Sequence, residues 1–590
     1  MQRILAVDVG STTTKATVFE KSSSGWEMKG KATAGTTVEA PHLDVMIGVR
    51  NALGRLEARA SLKLLEAGRL LSPSAGPQGV DLFVATSSAG GGLQMLVAGL
   101  AKHLTAESAH RAALGAGAVV LDVLAMDDAR MVSEKIERIR KLRPDMILIT
   151  GGTDGGNISG VAALAEFVAA ANPKPRFGQG FRVPVVFAGN ISAREYVNDL
   201  MSGVMDVTFT DNLRPDLEHE ILEPCIAEIH RLFLEHVMSH APGYGTLLAW
   251  AGDRISPTPV AVGDVLKYLR SVLGSSVLGV DVGGATTDVF SVLDGRFYRT
   301  VSANLGMSYS MGNVIVEARP ENVLRWVPAD IAEKELRDWN FNKMVRPTTL
   351  PQTAVDLMLE QALCREALRL SLEHHRTLAR ALKGVRKTRE VSDIFDQEGT
   401  GETKLDMLEV GIIVGTGGAI SYAPGYGQAL MMLTDGLLPE GVTEIYIDRD
   451  FLFPHVGMLL KAAPDAARDI LFNAALVPLG TVVAPKGPVV PDGTVIAEMI
   501  VGGRKVRVSS GVIDCVPLGP GETVDTEIVP QRRFDVGRGP GAPVKARLRG
   551  GHCGIVLDGR GRPIRMPEDP EGRRRAVRNW MSALGALVGD

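Results

Sequence analysis

One turn, Asp-Val-Gly-x-x-Thr between two apolar runs, occurs twice in this chain. Residues 5–20 read LAVDVGSTTTKATVFE and residues 278–292 read LGVDVGGATTDVFSV. In each copy an Asp ends a β-branched run, and the glycine and small residues then allow a tight turn into a second apolar run. A hairpin repeated this closely calls for one physical reason at both places.

The residue types at the turn suit a particular chemistry. An Asp at the end of a buried strand holds a carboxylate where Mg²⁺ or an attacking water can sit. Glycine lets the backbone approach a phosphate oxygen and donate its N–H to it. Two such copies facing each other across a cleft would grip the phosphates of a nucleotide from both sides, with Mg²⁺ opposing Asp8 and Asp281. A third cluster, GIIVGTGGAISYAPG at 411–425, runs a strand into Gly415-Thr416-Gly417-Gly418, where the backbone can pass under a purine or ribose. The GxxxxGK[ST] loop is absent, and no GxGxxG follows a strand.

Composition narrows the class. The chain has 590 residues, 45% hydrophobic and 22% charged, enough for several domains with their own cores. A net charge of −4 argues against general affinity for nucleic acid or anionic membrane, and 5% aromatics provide no stacking platform for single strands. Cys225, Cys364, Cys515 and Cys553 form no CxxC, which removes a disulfide framework and any zinc or iron–sulfur signature. His236 and His240 lack the HExxH pattern and read as a surface pair, and the adjacent His374 and His375 are expected on different helix faces. With a short apolar N-terminus and no long apolar stretch, the expected location is the cytoplasm.

Along the chain we expect a first half-domain over 1–105, with a hairpin at 4–9 and 13–20 and a strand at 81–86 before a glycine-rich turn. An inserted α/β domain should fill 106–245, with strands at 118–123, 146–150 and 183–188 and a helix at 128–142. The second half-domain follows over 246–475, including a helix at 354–386. Val, Pro and Gly at hairpin spacing over 476–566 predict a separate all-β module, and 567–590 a basic tail or helix. The module and its arginines are a candidate partner platform, although a solvated charge run is the default. In outline the insert resembles a cobalamin-binding domain, but it lacks DxHxxG, and the simpler reading is an α/β insert without that role.

Taken in order, DVGSTTTK, DVGGATTD and VGTGGA resemble the phosphate-1, phosphate-2 and adenosine motifs of the actin, sugar-kinase and heat-shock-chaperone ATPase superfamily. Together with ILITGGTDGGN and FAGNISAREYV, they resemble the MutL/GlmL family of accessory proteins for coenzyme-B12-dependent glutamate (methylaspartate) mutase. The resemblance implies two actin-like (ribonuclease-H-like) half-domains around a nucleotide cleft, ATP/ADP and Mg²⁺ as cofactors, and no tightly bound cobalamin. It also implies a slow ATPase acting as reactivating factor or chaperone on mutase subunits, with no nucleic-acid or membrane partner; a homodimer stays open.

By the same resemblance Asp8 and Asp281 are the Mg²⁺-side and water-orienting carboxylates. Gly10, Ser11, Thr12, Thr13 and Thr14 would donate to phosphate, and Gly283, Gly284, Thr286 and Thr287 would hold the γ-phosphate. Gly415, Thr416, Gly417 and Gly418 would face adenosine. Lys15 is read as solvated, with phosphate neutralisation the alternative, and Asp288 as a turn cap. Asp154 in TGGTDGGN coordinates a cation or meets a partner on one reading, and on the other belongs to a glycine turn and bonds its own backbone. The competing functions are a small-molecule kinase of the same fold, which lacks a sugar-kinase signature here, and an ATP-using subunit of a hydantoinase or carboxylase type. A corrinoid reductive activator would need an iron–sulfur cluster, which the cysteine spacing excludes.

Overall fold

The computed structural model describes all residues except 39–41, 89–92, 176–181, 239–241, 309, 348, 380–404 and 589–590. The chain divides into two compact units, one mainly Met1–Val262, the other mainly Gly263–Ala379, Lys404–Val456 and Asp465–Asp590.

In the first unit, Arg3–Val9 is buried along its whole length and forms the middle of a five-stranded sheet. It pairs antiparallel with Thr13–Ser22, which pairs antiparallel with Gly25–Gly35. On its other side Leu82–Ser87 and then Ile255–Pro257 add in parallel. The helix Val45–Ala60 covers the sheet with Met46, Val49, Leu53 and Leu56, its start fixed by the Asp44 carboxylate accepting from the Met46 N–H at 2.8 Å.

The second unit repeats this topology. Ser276–Val282 lies between Thr287–Leu293, itself paired with Arg296–Ser302, and the parallel strands Val410–Gly417 and Gly441–Asp448. In both sheets the third, second, first, fourth and fifth strands lie side by side in that order, the first three antiparallel and the last two parallel to the first. This is the actin-like half-domain, present twice in an α/β fold. The helix Ala354–Leu378 buries Leu363, Ala367, Leu368 and Leu372 in the second core and starts with a Thr353–Asp356 capping box. The predicted end of that helix, at 386, lies outside the described residues, as do the glycine turn at 89–92 and His240.

Between the fourth and fifth strands of the first sheet sits a second, wholly parallel sheet. Its spatial order is Asp206–Phe209, Pro184–Phe187, Met146–Thr150, Gln94–Gly99, Val119–Ala125. Parallel neighbours need crossover helices, and Val132–Leu142, Ser159–Ala171 and Arg194–Met201 provide them. One strand of this sheet, Gln94–Gly99, precedes residue 106, and the fifth strand of the first half-domain, Ile255–Pro257, follows residue 246. The helix expected from 128 begins at Val132, because Asp128 is held ahead of it by Arg130 and Lys135.

Residues beyond 476 are less separate than their composition suggests. Leu476–Ala484 pairs antiparallel with Gly441–Asp448, and Ile555–Asp558 and Ile513–Val516 extend the same sheet to eight strands. A four-stranded antiparallel sheet packs Ile496, Met499, Val508, Ile528 and Leu548 into a core shared with Val483, Ile555 and Leu557 of the eight-stranded sheet. The helix Pro570–Ala583 returns Trp580 and Met581 to the core of the second unit. A fully buried ion network ties these pieces together: Asp435 accepts from Arg365 at 2.7 Å and from Arg560 at 2.8 Å, and Arg560 also pairs with Asp558. His374 and His375 lie on different helix faces as expected, the first exposed and the second buried. His375 bridges the Ser291 and Thr300 hydroxyls at 2.8 Å each, and His374 reaches Ser302 at 3.2 Å.

Candidate functional site

The two repeated turns close in the same way. Gly10 N–H donates to the Thr13 carbonyl at 3.0 Å, and Gly283 N–H to the Thr286 carbonyl at 2.9 Å. A Cβ on Gly10 would lie 2.8 Å from the Thr13 carbonyl oxygen, so the turn admits only glycine. In each copy a neighbouring segment ties up the turn's carbonyls. Thr36 donates its hydroxyl to the Gly10 carbonyl at 2.8 Å and its N–H to that of Thr12 at 3.0 Å. In the second copy Met307 and Ser308 N–H groups bind the Gly283 and Gly284 carbonyls, and the Ser310 hydroxyl binds that of Ala285. Among the described residues the N–H groups of Ser11, Thr12, Gly284 and Ala285 have no hydrogen-bond acceptor. Carbonyls held back and amides left available make a nest for an anion.

Not every predicted donor belongs to that nest. Thr14 is buried, with its hydroxyl 3.1 Å from that of Thr36, and the buried Thr287 hydroxyl donates to the Leu305 carbonyl at 2.6 Å. Both side chains support the turn from inside. Ser11 is exposed, and Thr12, Thr13 and Thr286 are half-buried at the turn surfaces.

The carboxylates beneath the turns differ. Asp8 is opposite Lys15 in the hairpin register, and Lys15 Nζ lies 2.9 Å from Asp8 Oδ2. Lys15 is therefore not solvated; it is 8% exposed. Asp8 Oδ1 accepts from the Thr86 hydroxyl at 2.9 Å and the Thr258 hydroxyl at 2.8 Å. Both oxygens of Asp8 are thus engaged by the protein. Tyr244 sits nearby, its phenol 2.7 Å from the Ser87 hydroxyl. Burial pushes that phenol up to about 12, against the pull of the Ser87 bond and with a further push from the Asp8 charge.

Asp281 is opposite another carboxylate, Asp288, and beside Thr416 on the parallel strand. Asp288 touches the turn only through its Oδ2, which accepts from the Thr286 hydroxyl at 3.4 Å. It lies inside the strand, and Arg299 grips its Oδ1 through Nε at 2.9 Å and Nη2 at 2.6 Å. The half-buried Asp281 thus stands across from a carboxylate whose charge a buried arginine already answers.

The third glycine cluster is shaped mostly by the protein itself. A Cβ on Gly415 would meet Leu433 at 2.8 Å, and on Gly417 (φ 106°) the Val282 backbone at 2.3 Å. These two glycines let strands and a helix approach one another; they do not make room for adenosine. Thr416 is buried, its hydroxyl 3.3 Å from Asp448. Gly418 alone of the group faces open space.

In TGGTDGGN, Asp154 Oδ1 accepts from the Ile191 N–H at 3.1 Å and from Asn212 Nδ2 at 2.9 Å, so it links two neighbouring loops. Its glycines have packing reasons as well: a Cβ on Gly151 would lie 2.8 Å from Leu100 Cβ, and one on Gly152 3.0 Å from the Asn157 carbonyl oxygen and 3.2 Å from Asn190 Cβ. Among the described residues no three His, Cys, Asp or Glu side chains come together as a metal cluster. Among them, too, no helix is long and apolar enough to cross a membrane.

Thr36, Thr86, Thr258, Arg299 and Ser310 are the supporting residues that motif reading missed. Arg299, a charge inside the strand RFYRTVS, is the one with a visible sequence signal.

The family model for MutL protein matches residues 4–475. The chain belongs to the MutL protein family. It is 28% identical over 506 residues, 80% of this chain and 98% of the relative, to Protein MutL of Clostridium tetanomorphum. Among solved structures, the diol dehydratase-reactivating factor in nucleotide-free form aligns at 10% identity and TM-score 0.29, over 80% of this chain and 99% of that one. The activator of 2-hydroxyisocaproyl-CoA dehydratase from Clostridium difficile, with bound ADPNP, aligns at 9% and 0.24, over 80% and 98%. Gluconate kinase from Lactobacillus acidophilus aligns at 11% and 0.28, over 80% and 89%. The family match covers most of the chain in sequence.

Proposed function

We propose that this member of the MutL family is an ATP-dependent reactivating factor for a coenzyme-B12-dependent mutase of the glutamate (methylaspartate) type. In this reading ATP binding and hydrolysis drive release of damaged cobalamin from the mutase subunits. The observation that carries the ATP part is the turn built twice with carbonyls tied back and amides available. Family membership supports the accessory role.

The roles of individual residues follow from their partners. The Ser11, Thr12, Gly284 and Ala285 amides donate to phosphate oxygens. Asp8 and Lys15 neutralise each other and stiffen the first turn. Mg²⁺, when bound with the nucleotide, supplies charge neutralisation at the phosphates and keeps most of its waters, which suits a site with one or two carboxylates. Asp281, half-buried beneath its turn beside Thr416, is the carboxylate we assign to that ion, and Asp8 holds Lys15, Thr86 and Thr258. A reactivating factor must bind its partner differently in its two nucleotide states, so its turnover should be slow and partner-dependent.

The test is MgATP turnover by the pure protein, alone and with a glutamate mutase blocked by cyanocobalamin, beside an Asp281→Asn variant. We expect slow turnover that rises with the blocked mutase and falls at least 100-fold in the variant, on the order of the loss when one transition-state charge contact is removed. Turnover indifferent to the mutase but raised by a small metabolite would replace this reading with a kinase.

A further inference from the structure

The C-terminal region has a charge balance opposite to that of the chain. Residues 476–590 hold 17 Lys and Arg against 12 Asp and Glu, in a protein of net charge −4. On this module is a pocket of about 120 Å³ with Phe534, Pro485 and Ile496 among its lining residues. For scale, an apolar cavity of roughly 150 Å³ accepts a benzene molecule, so the space suits one aliphatic side chain.

The rim is built. Lys486 and Asp535 exchange backbone hydrogen bonds of 2.8 and 2.7 Å, which fastens the loop after Thr523–Pro530 onto the 485–489 segment. Gly487 is the only residue that fits beneath Phe534, because a Cβ there would lie 2.3 Å from the ring. The Asp535 carboxylate accepts from the N–H groups of Gly537, Arg538 and Gly539, which turns the loop back.

This rigid loop displays cations. Arg532 and Arg533 directly precede Phe534, Arg538 follows it, and Arg565 lines the pocket. All four are exposed, and among the described residues none makes an ion pair. Val489 stands on the lip, 72% exposed. Of the arginines that line the hollow, Arg562 is answered by Asp558 at 3.0 Å and Arg565 is exposed. With three more exposed arginines in the loop that carries Phe534, the region matches a ligand with carboxylates beside one apolar residue.

We propose that this pocket docks a partner protein through an acidic segment carrying a single aliphatic anchor. The anchor enters between Phe534 and Val489, and flanking carboxylates meet Arg532, Arg533, Arg538 and Arg565. The site is in the β module and is independent of the ATPase reading.

The test uses the full chain and fluorescence anisotropy of a labelled 12-residue peptide of glutamates and glycines with one central leucine. Binding should weaken at least tenfold when the leucine becomes serine, and again in the surface variants Val489→Asp and Arg532→Glu/Arg533→Glu. Circular dichroism and MgATP turnover should be unchanged in those variants. A lysine version of the peptide should not bind. Failure of the acidic peptide to bind, or binding indifferent to leucine and to Val489→Asp, would overturn the proposal. Equal or tighter binding of a labelled dT12 strand through the same arginines would reassign the patch to nucleic acid. Self-association of the chain that Val489→Asp abolishes, with no peptide bound, would assign the pocket to a second copy.

Discussion

Replacing Lys15 with methionine should leave the Asp8 carboxylate buried without its cation. The pair is 2.9 Å apart, with side chains 11% and 2% exposed. At an effective dielectric near 20 the attraction is about 6 kcal/mol before desolvation is subtracted. Loss of one partner of a buried pair costs roughly 3–5 kcal/mol, because the other charge is stranded. Thr86 and Thr258 still donate to Asp8 Oδ1, which places the expected loss near the lower end, about 3 kcal/mol.

For a unit of this size that is a fall of about 6–12 °C in the first unfolding transition. Calorimetry on Lys15→Met, Asp8→Asn and the double variant reads it directly. The double variant carries no stranded charge and should be the more stable of the two that lack Lys15, with a coupling of about 2 kcal/mol. A coupling under about 0.5 kcal/mol, against the roughly 2 kcal/mol expected, would show that the ion pair does not hold the turn and that Lys15 is buried for another reason.

Asp435→Ala strands Arg365 in the second unit, while Arg560 keeps Asp558, and should cost about 3 kcal/mol, read as a lowered urea midpoint. Gly417→Ala should destabilise the same unit by more than 1 kcal/mol, since φ is 106° and the Val282 backbone is in the way. Gly418→Ala, by contrast, faces open space and should preserve the melting temperature while weakening ATP binding in calorimetric titration. His375, buried between two hydroxyls with His374 and Arg376 adding repulsion, has its pKa pushed down from 6.5 to about 3. The unfolded state then takes up a proton that the folded state refuses, so stability falls with pH between about 6.5 and 3. The expected slope is about 1.4 kcal/mol per pH unit, and denaturation of His375→Gln at pH 7 and 5 should show that slope reduced.

Much of the fold could be read locally. Each hairpin has its strand pattern, its glycine and its small turn residues within about 16 consecutive positions, and periodicity of that kind survives without tertiary context. The parallel insert was legible for the same reason, as strands alternating with helical stretches. The β texture after residue 476 was legible too, but not its attachment: Leu476–Ala484 joins the sheet of the second half-domain through pairing with Gly441–Asp448, and nothing in either segment alone names its neighbour.

The candidate site divides along the same line. The sequence by itself determined the turns: Gly10 and Gly283 are required by contacts to residues three positions on, and the Asp at the end of each first strand follows from the motif. Tertiary structure decided what those carboxylates are. Asp8 acquires partners from positions 15, 86 and 258, and Asp288 is answered by Arg299 on the next strand. It also decided that Gly415 and Gly417 serve strand and helix packing, while Gly418 stays open. A buried charge settles its partners through groups brought close by the whole fold, and a glycine's empty side is filled by whatever backbone arrives there; neither neighbour is written next to the residue it meets.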